Sequence, residues 1–147
     1  MHIRDFQPSD LPVLSKIDEA CFPPGISYSR EELAAYIAHR SARTWIAEGE
    51  GSIVGFVVAN REPARVGHII TIDVLEDWRR RGTGTQLMNV AEDWARRAKL
   101  QLIYLETAEE NLAAQSFYKA RGYRKVEMVD RYYSDGQAAW VMVKNLD

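Results

Sequence analysis

A chain of 147 residues with 46% hydrophobic and 27% charged residues has the make-up of one ordinary globular domain, long enough to bury a real core. The formal net charge of -2 excludes the broad basic field that nucleic-acid binding needs, and no apolar run approaches the length of a membrane span. A lone cysteine, Cys21, excludes an internal disulfide framework; with no signal-peptide pattern in Met1-His2-Ile3-Arg4-Asp5, the expected compartment is a reducing cytoplasm.

In chain order, a first strand is predicted over Ile3 to Phe6, then a helix entered at Ser9-Asp10 with Pro12 in its first turn. Phe22-Pro23-Pro24-Gly25 ends that helix, and Cys21, at the close of its apolar pattern, is expected to be an inert buried thiol. Ser29-Arg30-Glu31-Glu32 has capping-box spacing ahead of Leu33, Tyr36 and Ile37, so a second short helix follows. Thr44 to Glu48 and Ile53 to Asn60 read as a hairpin turning at Glu48-Gly49-Glu50-Gly51. Val66 to Leu75 is the next strand, and Leu87, Ala91, Trp94 and Ala98 then recur with the period of a helix. Leu102 to Glu106 reads as another buried strand, and Asn111 opens a short helix ending at Gly122, a left-handed cap. Lys125 to Asp130 and Ala138 to Val143 form a closing pair of strands. The order β-α-α-β-β-β-α-β-α-β-β, with no repeat or linker, predicts one α/β domain with a mixed sheet.

Between the Val66–Leu75 strand and its helix lies Arg79-Arg80-Arg81-Gly82-Thr83-Gly84. Glycines let the backbone turn tightly and approach a ligand, and the first amides of a helix have no intrahelical acceptor. Those amides, the positive end of the helix dipole and the arginines favour a phosphate or pyrophosphate. No Gly-Lys-Ser/Thr follows and the Rossmann glycine spacing is absent, so neither of those phosphate motifs applies. Taken alone, the turn reads equally well as a solvated one whose arginines balance Glu76, Asp77, Glu92 and Asp93.

Combined with the second strand–helix unit, the turn resembles the GNAT superfamily of acyl-CoA-dependent N-acyltransferases. The superfamily's pyrophosphate motif, Arg/Gln-x-x-Gly-x-Gly/Ala, is matched by Arg79, Gly82 and Gly84. Its Asn-x-x-Ala-x-x-x-Tyr motif with a following Gly-aromatic pair is matched by Asn111, Ala114, Tyr118 and Gly122-Tyr123. The resemblance implies a single-domain fold over residues 1–147, a twisted, mixed but mostly antiparallel sheet of about seven strands flanked by about four helices. It also implies acetyl-CoA as cofactor, CoA as product, and no metal.

By that resemblance, Ile72, Asp73 and Val74 would pair their main chain with the pantetheine arm, and an amide near Val74 would polarise the thioester carbonyl. Pyrophosphate would fall to Arg79, Arg80, Arg81, Gly82, Thr83, Gly84 and Thr85, with the arginine in contact left open. Tyr118 resembles the superfamily's general acid, although the helix period alone would pack it beside Phe117. Asn111 would contact pantetheine or cap its helix. For the base, Glu106 stands at the C-terminal end of its strand, where ligand sites of open sheets gather, and His68 on the preceding strand is the second candidate.

Arg131-Tyr132-Tyr133 and the strand from Gly136 to Met142 resemble protein N-terminal acetyltransferases, including the RimI-type ribosomal-protein alanine acetyltransferases, as do Gly67 to Val74 and Ile103 to Glu106. Tyr28, Tyr132 and Tyr133 would then bind the acceptor, a protein or peptide N-terminus. A peptide α-amine is also the easier nucleophile, with a pKa of about 7.7–8.0 against about 10.4 for lysine. Three departures fall where an acceptor would lie: no tryptophan soon after Phe22-Pro23, Asp73 in place of a small residue, and Gln137 where an acid is common. The alternatives are a small-molecule amine or internal lysine as acceptor and, in a different class, a non-catalytic acyl-CoA-binding module. No nucleic-acid or membrane partner is expected, and the oligomeric state stays open.

Overall fold

The computed structural model describes residues 1–146. Its strands are β1 (His2–Asp5), β2 (Ala42–Gly49), β3 (Ser52–Glu62), β4 (Val66–Val74), β5 (Leu102–Ala108), β6 (Arg124–Val129) and β7 (Ala139–Asn145). Its helices are α1 (Leu11–Cys21), α2 (Arg30–Ala38), α3 (Thr83–Arg97) and α4 (Leu112–Ala120), in the order the sequence predicts. The local signals act as expected. Pro12 sits in the first turn of α1, and both capping-box bonds of α2 form between Ser29 and Glu32, at 2.9 and 3.1 Å. Gly122 lies at φ 97° just beyond α4.

The strands form one sheet in the order β1-β2-β3-β4-β5-β7-β6, antiparallel everywhere except between β4 and β5. The closing pair is thus not simply appended, because β7 inserts between β5 and β6. Both faces are covered, which is why β3 reads as a nearly unbroken apolar run. One face packs Trp45, Val57, Ala59, Ile69, Ile103 and Leu105 under α3 and α4; the other packs Ile46, Phe56 and Val58 under α1 and α2. The buried stripe of α3 is Leu87, Met88, Ala91 and Ala95, rotated from the predicted one. Trp94 is only partly buried, meeting Trp45 edge-on at 5.7 Å, and Ala98 lies just past the helix end.

Two irregularities position the site. Val58 pairs with Thr71 while Ala59 pairs with Ile69, so Ile70 is an extra residue that bulges β4. Beyond that point β4 leaves its parallel neighbour. The β4–β5 ladder covers only Val66↔Leu102, Gly67↔Ile103 and His68↔Tyr104, although both strands continue. Their C-terminal halves diverge into an opening at the carboxyl ends of the strands, the usual place for a ligand in an open α/β sheet.

Candidate active site

Past the divergence, each strand has one edge without a neighbour. The Leu75 amide donates to Val54 O in β3 at 2.9 Å. Main-chain groups alternate along a strand, so those of Ile72 and Val74 turn to the opposite edge, into the opening. Asp73 departs from the expectation. Its main chain turns back to β3, so closely that a Cβ on Gly55 would lie 2.6 Å from its carbonyl oxygen.

The Asp73 side chain instead lies buried on the α1 face, where the Thr71 hydroxyl donates to it at 2.5 Å and its carboxyl meets that of Asp18, also buried. Burial, and then the contact with Asp18, hold the Asp73 carboxyl well above the usual carboxylate range. Asp18 Oδ2 in turn accepts the Tyr28 amide at 2.7 Å. Cys21, half-buried where a buried thiol was expected, donates to Val74 O at 3.4 Å, and burial pushes that thiol up to about 11.

The basic turn is built as an anion cradle. Arg80 and Gly82 both adopt left-handed backbone, at φ 61° and 83°. The first α3 bond runs from the Gln86 amide to Gly82 O at 3.0 Å, which leaves the amides of Thr83, Gly84 and Thr85 without intrahelical acceptors. The Thr83 hydroxyl is buried without a hydrogen-bond partner. A Cβ on Gly84 would come within 3.3 Å of the Phe117 ring, so glycine there lets α3 approach α4. The three arginines divide. Arg79 Nε donates back to Val74 O at 2.9 Å, while Arg81 donates to Asp77 O and lies 4.0 Å over the Trp78 ring. Arg80 has no hydrogen-bond partner among the described residues.

Helix α4 begins at Asn111, whose Oδ1 accepts the Ala114 amide at 3.2 Å, so this side chain acts as the cap. One face of the helix carries Tyr118 inward, 8% exposed, edge-on to Phe117 at 5.4 Å and Tyr123 at 5.9 Å. Burial, then proximity to Asp73 and Tyr133, raises the phenol well above its ordinary value and keeps it protonated. Tyr118 thus packs in the core and keeps its hydroxyl proton.

At the closed end of the opening lies a row of polar side chains. His68 Nε2 stands 2.7 Å from Glu106 Oε1, and His68 Nδ1 stands 3.1 Å from Glu62 Oε2. The Tyr104 hydroxyl donates to Glu62 Oε1 at 2.7 Å, and its ring stacks on His68 at 4.1 Å with 9° between planes. The two predicted base candidates are thus neighbours. Glu62 and Tyr104 were missed, yet parity could have found them. The β3–β4 hairpin sets Asn60 opposite His68 and leaves Glu62 one diagonal step away, while Tyr104 and Glu106 share a face at i, i+2.

Two loops form lips above this row. The Ser134 amide donates to Gly25 O at 3.0 Å, and a Cβ on Gly25 would lie 2.8 Å from Asp135 Cβ, so the α1–α2 and β6–β7 loops close on each other. They carry Tyr28, edge-on to Tyr36 at 5.2 Å, and the pair Tyr132–Tyr133 at 4.8 Å. All three predicted acceptor tyrosines are raised, first by burial and further by the nearby Glu106 charge, Tyr132 to about 12. Gln137, one of the departures noted above, accepts the Glu110 amide at 3.1 Å and so ties the second lip to the start of α4.

Residues 11–123 match the acetyltransferase (GNAT) family, and the chain belongs to that family. It is an N-acetyltransferase, and acetyl-CoA is the family's acyl donor. An N-alpha-acetyltransferase of Sulfurisphaera tokodaii is 28% identical over 156 residues, covering 98% of this chain and 92% of that protein. Ard1 from Thermoplasma volcanium superposes with a TM-score of 0.88 at 27% identity, over 99% of this chain and 97% of that one. The ribosomal-protein-S18-alanine N-acetyltransferase from Escherichia coli shares the fold, with a TM-score of 0.88 at 20% identity over 99% of this chain and 94% of that one. The expected GNAT architecture of seven strands and four helices is the one observed, and no described helix is long and apolar enough to cross a membrane.

Proposed function

We propose that this chain acetylates the α-amino group of a protein or peptide N-terminus, in the cytoplasm. The observation that carries the reading is the convergence of Tyr28, Tyr132 and Tyr133, from two mutually tied lips, on the Glu106–His68 pair at 2.7 Å. Paired phenols on opposed loops suit the extended main chain of a peptide, and the carboxylate–imidazole pair suits removal of a proton from an incoming ammonium. Names of relatives such as the N-alpha-acetyltransferase of Sulfurisphaera tokodaii support the same acceptor class.

The residues present fit acetyl-CoA: three free helix amides, the buried unpartnered Thr83 hydroxyl and the glycine cradle suit a pyrophosphate. Arg80, Gly82, Thr83, Gly84 and Thr85 would hold it, while Arg79 and Arg81 brace the turn. Ile72 and Val74 would offer main-chain groups to the arm, with the Val74 amide beside the carbonyl. When bound, acetyl-CoA supplies a thioester already activated for attack by an amine. Tyr118 keeps its hydroxyl proton for the departing thiolate, and Glu106 with His68 accepts the proton of the amine. Asn111 acts through α4 by capping it.

Thiol release from acetyl-CoA across a panel of peptides tests the reading. A peptide with a free α-amine, ribosomal-protein N-termini among the panel, should be acetylated, and its pre-blocked twin with an internal lysine should not. The reverse preference, or turnover of small polyamines alone, would sink the N-terminal acceptor and leave the family membership untouched.

A further inference from the structure

Glu62 belongs to no motif of the pyrophosphate turn or of α4, yet it sits at the outer end of the His68 row. The His68 ring spans the closing point of the β4–β5 opening, with one nitrogen toward Glu106 on the open side and the other toward Glu62 on the closed side. A neutral imidazole has one N–H, so two contacts with carboxyl oxygens need a second proton, either on the ring or on a glutamate. Whichever it is, a proton moved along the row changes owner without any heavy atom moving. Exposure increases outward: the His68 and Glu106 side chains are 15% and 14% exposed, and Glu62 is 30% exposed. Tyr104 holds the far end still, donating to the other Glu62 oxygen and stacking on the imidazole.

We propose that Glu62 is the exit of a proton relay, Glu106 to His68 to Glu62, through which the proton taken from the acceptor amine reaches solvent. The proposal rests on the reading above that Glu106 faces the amine. The steps balance as proton transfers alone. An ammonium N–H breaks as a Glu106 O–H forms, and that proton passes to His68 Nε2. The Nδ1 proton of the ring passes to Glu62 Oε2, and Glu62 releases it to water or to buffer base. The ring, left protonated at Nε2 alone, regains its Nδ1–H tautomer by exchange with solvent before the next turnover. The groups facing the row are Glu62 from β3, Tyr104 and Glu106 from β5, and Tyr28, Tyr132 and Tyr133 from the lips, and none of these is a cation that would trap the proton. Glu62 touches no reacting atom and acts through His68.

The test is Glu62→Gln, which keeps an acceptor for Tyr104 but cannot carry the proton, assayed in weakly buffered solution and with rising imidazole at constant ionic strength. The relay predicts a kcat lower by about tenfold or more, peptide KM nearly unchanged, and kcat rising saturably with imidazole. Glu62→Asp should recover part of the rate without added base. A wild-type kcat at low buffer would overturn the relay, and so would a loss that imidazole does not touch and that moves KM or the melting temperature instead. Glu106→Gln separates the two readings: if it stays fully active, the amine-facing role fails; if it is crippled while Glu62→Gln is not, only the relay fails.

Discussion

Two glutamates, one buried among several donors and one half-buried against a single histidine, behave in opposite ways in this fold. Glu92 on α3 is 2% exposed and receives Arg121 at 2.8 Å, Lys144 at 2.9 Å and the Tyr123 hydroxyl at 2.8 Å. Burial pushes its carboxyl up, and the bonds from Arg121, Lys144 and Tyr123 more than reverse that, holding it below the usual range. Every partner is a donor and two are fixed cations, so the cluster pins α3 to α4 and β7 with its charges settled. Glu106 shares its row with a histidine and a second glutamate, and the row opens at one end to the cleft and at the other to solvent. A carboxylate closed by permanent cations stabilises a fold, whereas one facing a titratable ring can hand a proton on.

The sharpest break of that comparison is Glu106→Gln. Its kcat at neutral pH should fall by about 10²–10⁴-fold and recover in part as pH rises and free amine becomes abundant, with the melting temperature little changed. Steady-state rates across pH measure it, and an unchanged kcat would remove Glu106 from the chemistry.

Glu92→Leu should do the reverse. Removing the shared anion leaves Arg121 and Lys144 half-buried and unpaired, a loss of about 3 kcal/mol, or about 10 °C in melting temperature. The folded fraction should keep its kcat. In the parent chain the same contact contributes stability above the ordinary carboxylate pKa of about 4 and loses it as pH falls through the depressed folded value, so acid melts should steepen there and flatten in the variant.

Gly84→Val should abolish the thermal shift produced by saturating CoA, because the new side chain meets Phe117 and thickens the cradle. A retained shift would move the pyrophosphate elsewhere.

Asp73→Asn isolates a third arrangement, a buried acid whose carboxyl is raised by burial and by Asp18. A folded carboxyl raised above its unfolded value binds its proton more tightly when folded, so stability falls as pH rises from about 4 toward the raised value. The amide can still accept from Thr71 and donate to Asp18, so the variant should lose that slope and melt no lower at neutral pH. Smallest of all, Cys21→Ala should leave kcat within about twofold, since a half-buried thiol this weakly acidic is no nucleophile. Loss of activity there would point to an acyl-enzyme and against direct attack by the amine.

What the sequence by itself determined was everything carried by short, contiguous signals. The α2 capping box, Pro12, the Gly122 cap and the strand and helix periods act over a few residues, so their outcome barely depends on the rest of the chain. The basic glycine turn ahead of α3 and the Asn111-capped helix that carries Tyr118 are legible for the same reason, because free helix amides, a cap and a helix face are all set within a few residues. Tertiary structure decided what register decides. The insertion of β7 between β5 and β6, the bulge at Ile70 and the early parting of β4 from β5 are pairings between distant segments, and a strand's own pattern does not name its neighbour. On that register depend the turning of Asp73 away from the opening, the meeting of Glu62, His68 and Glu106 across three strands, and the closing of the Gly25 and Asp135 loops on each other. One residue of slip would send each of those side chains to the other face of the sheet, and nothing local in the chain measures that slip.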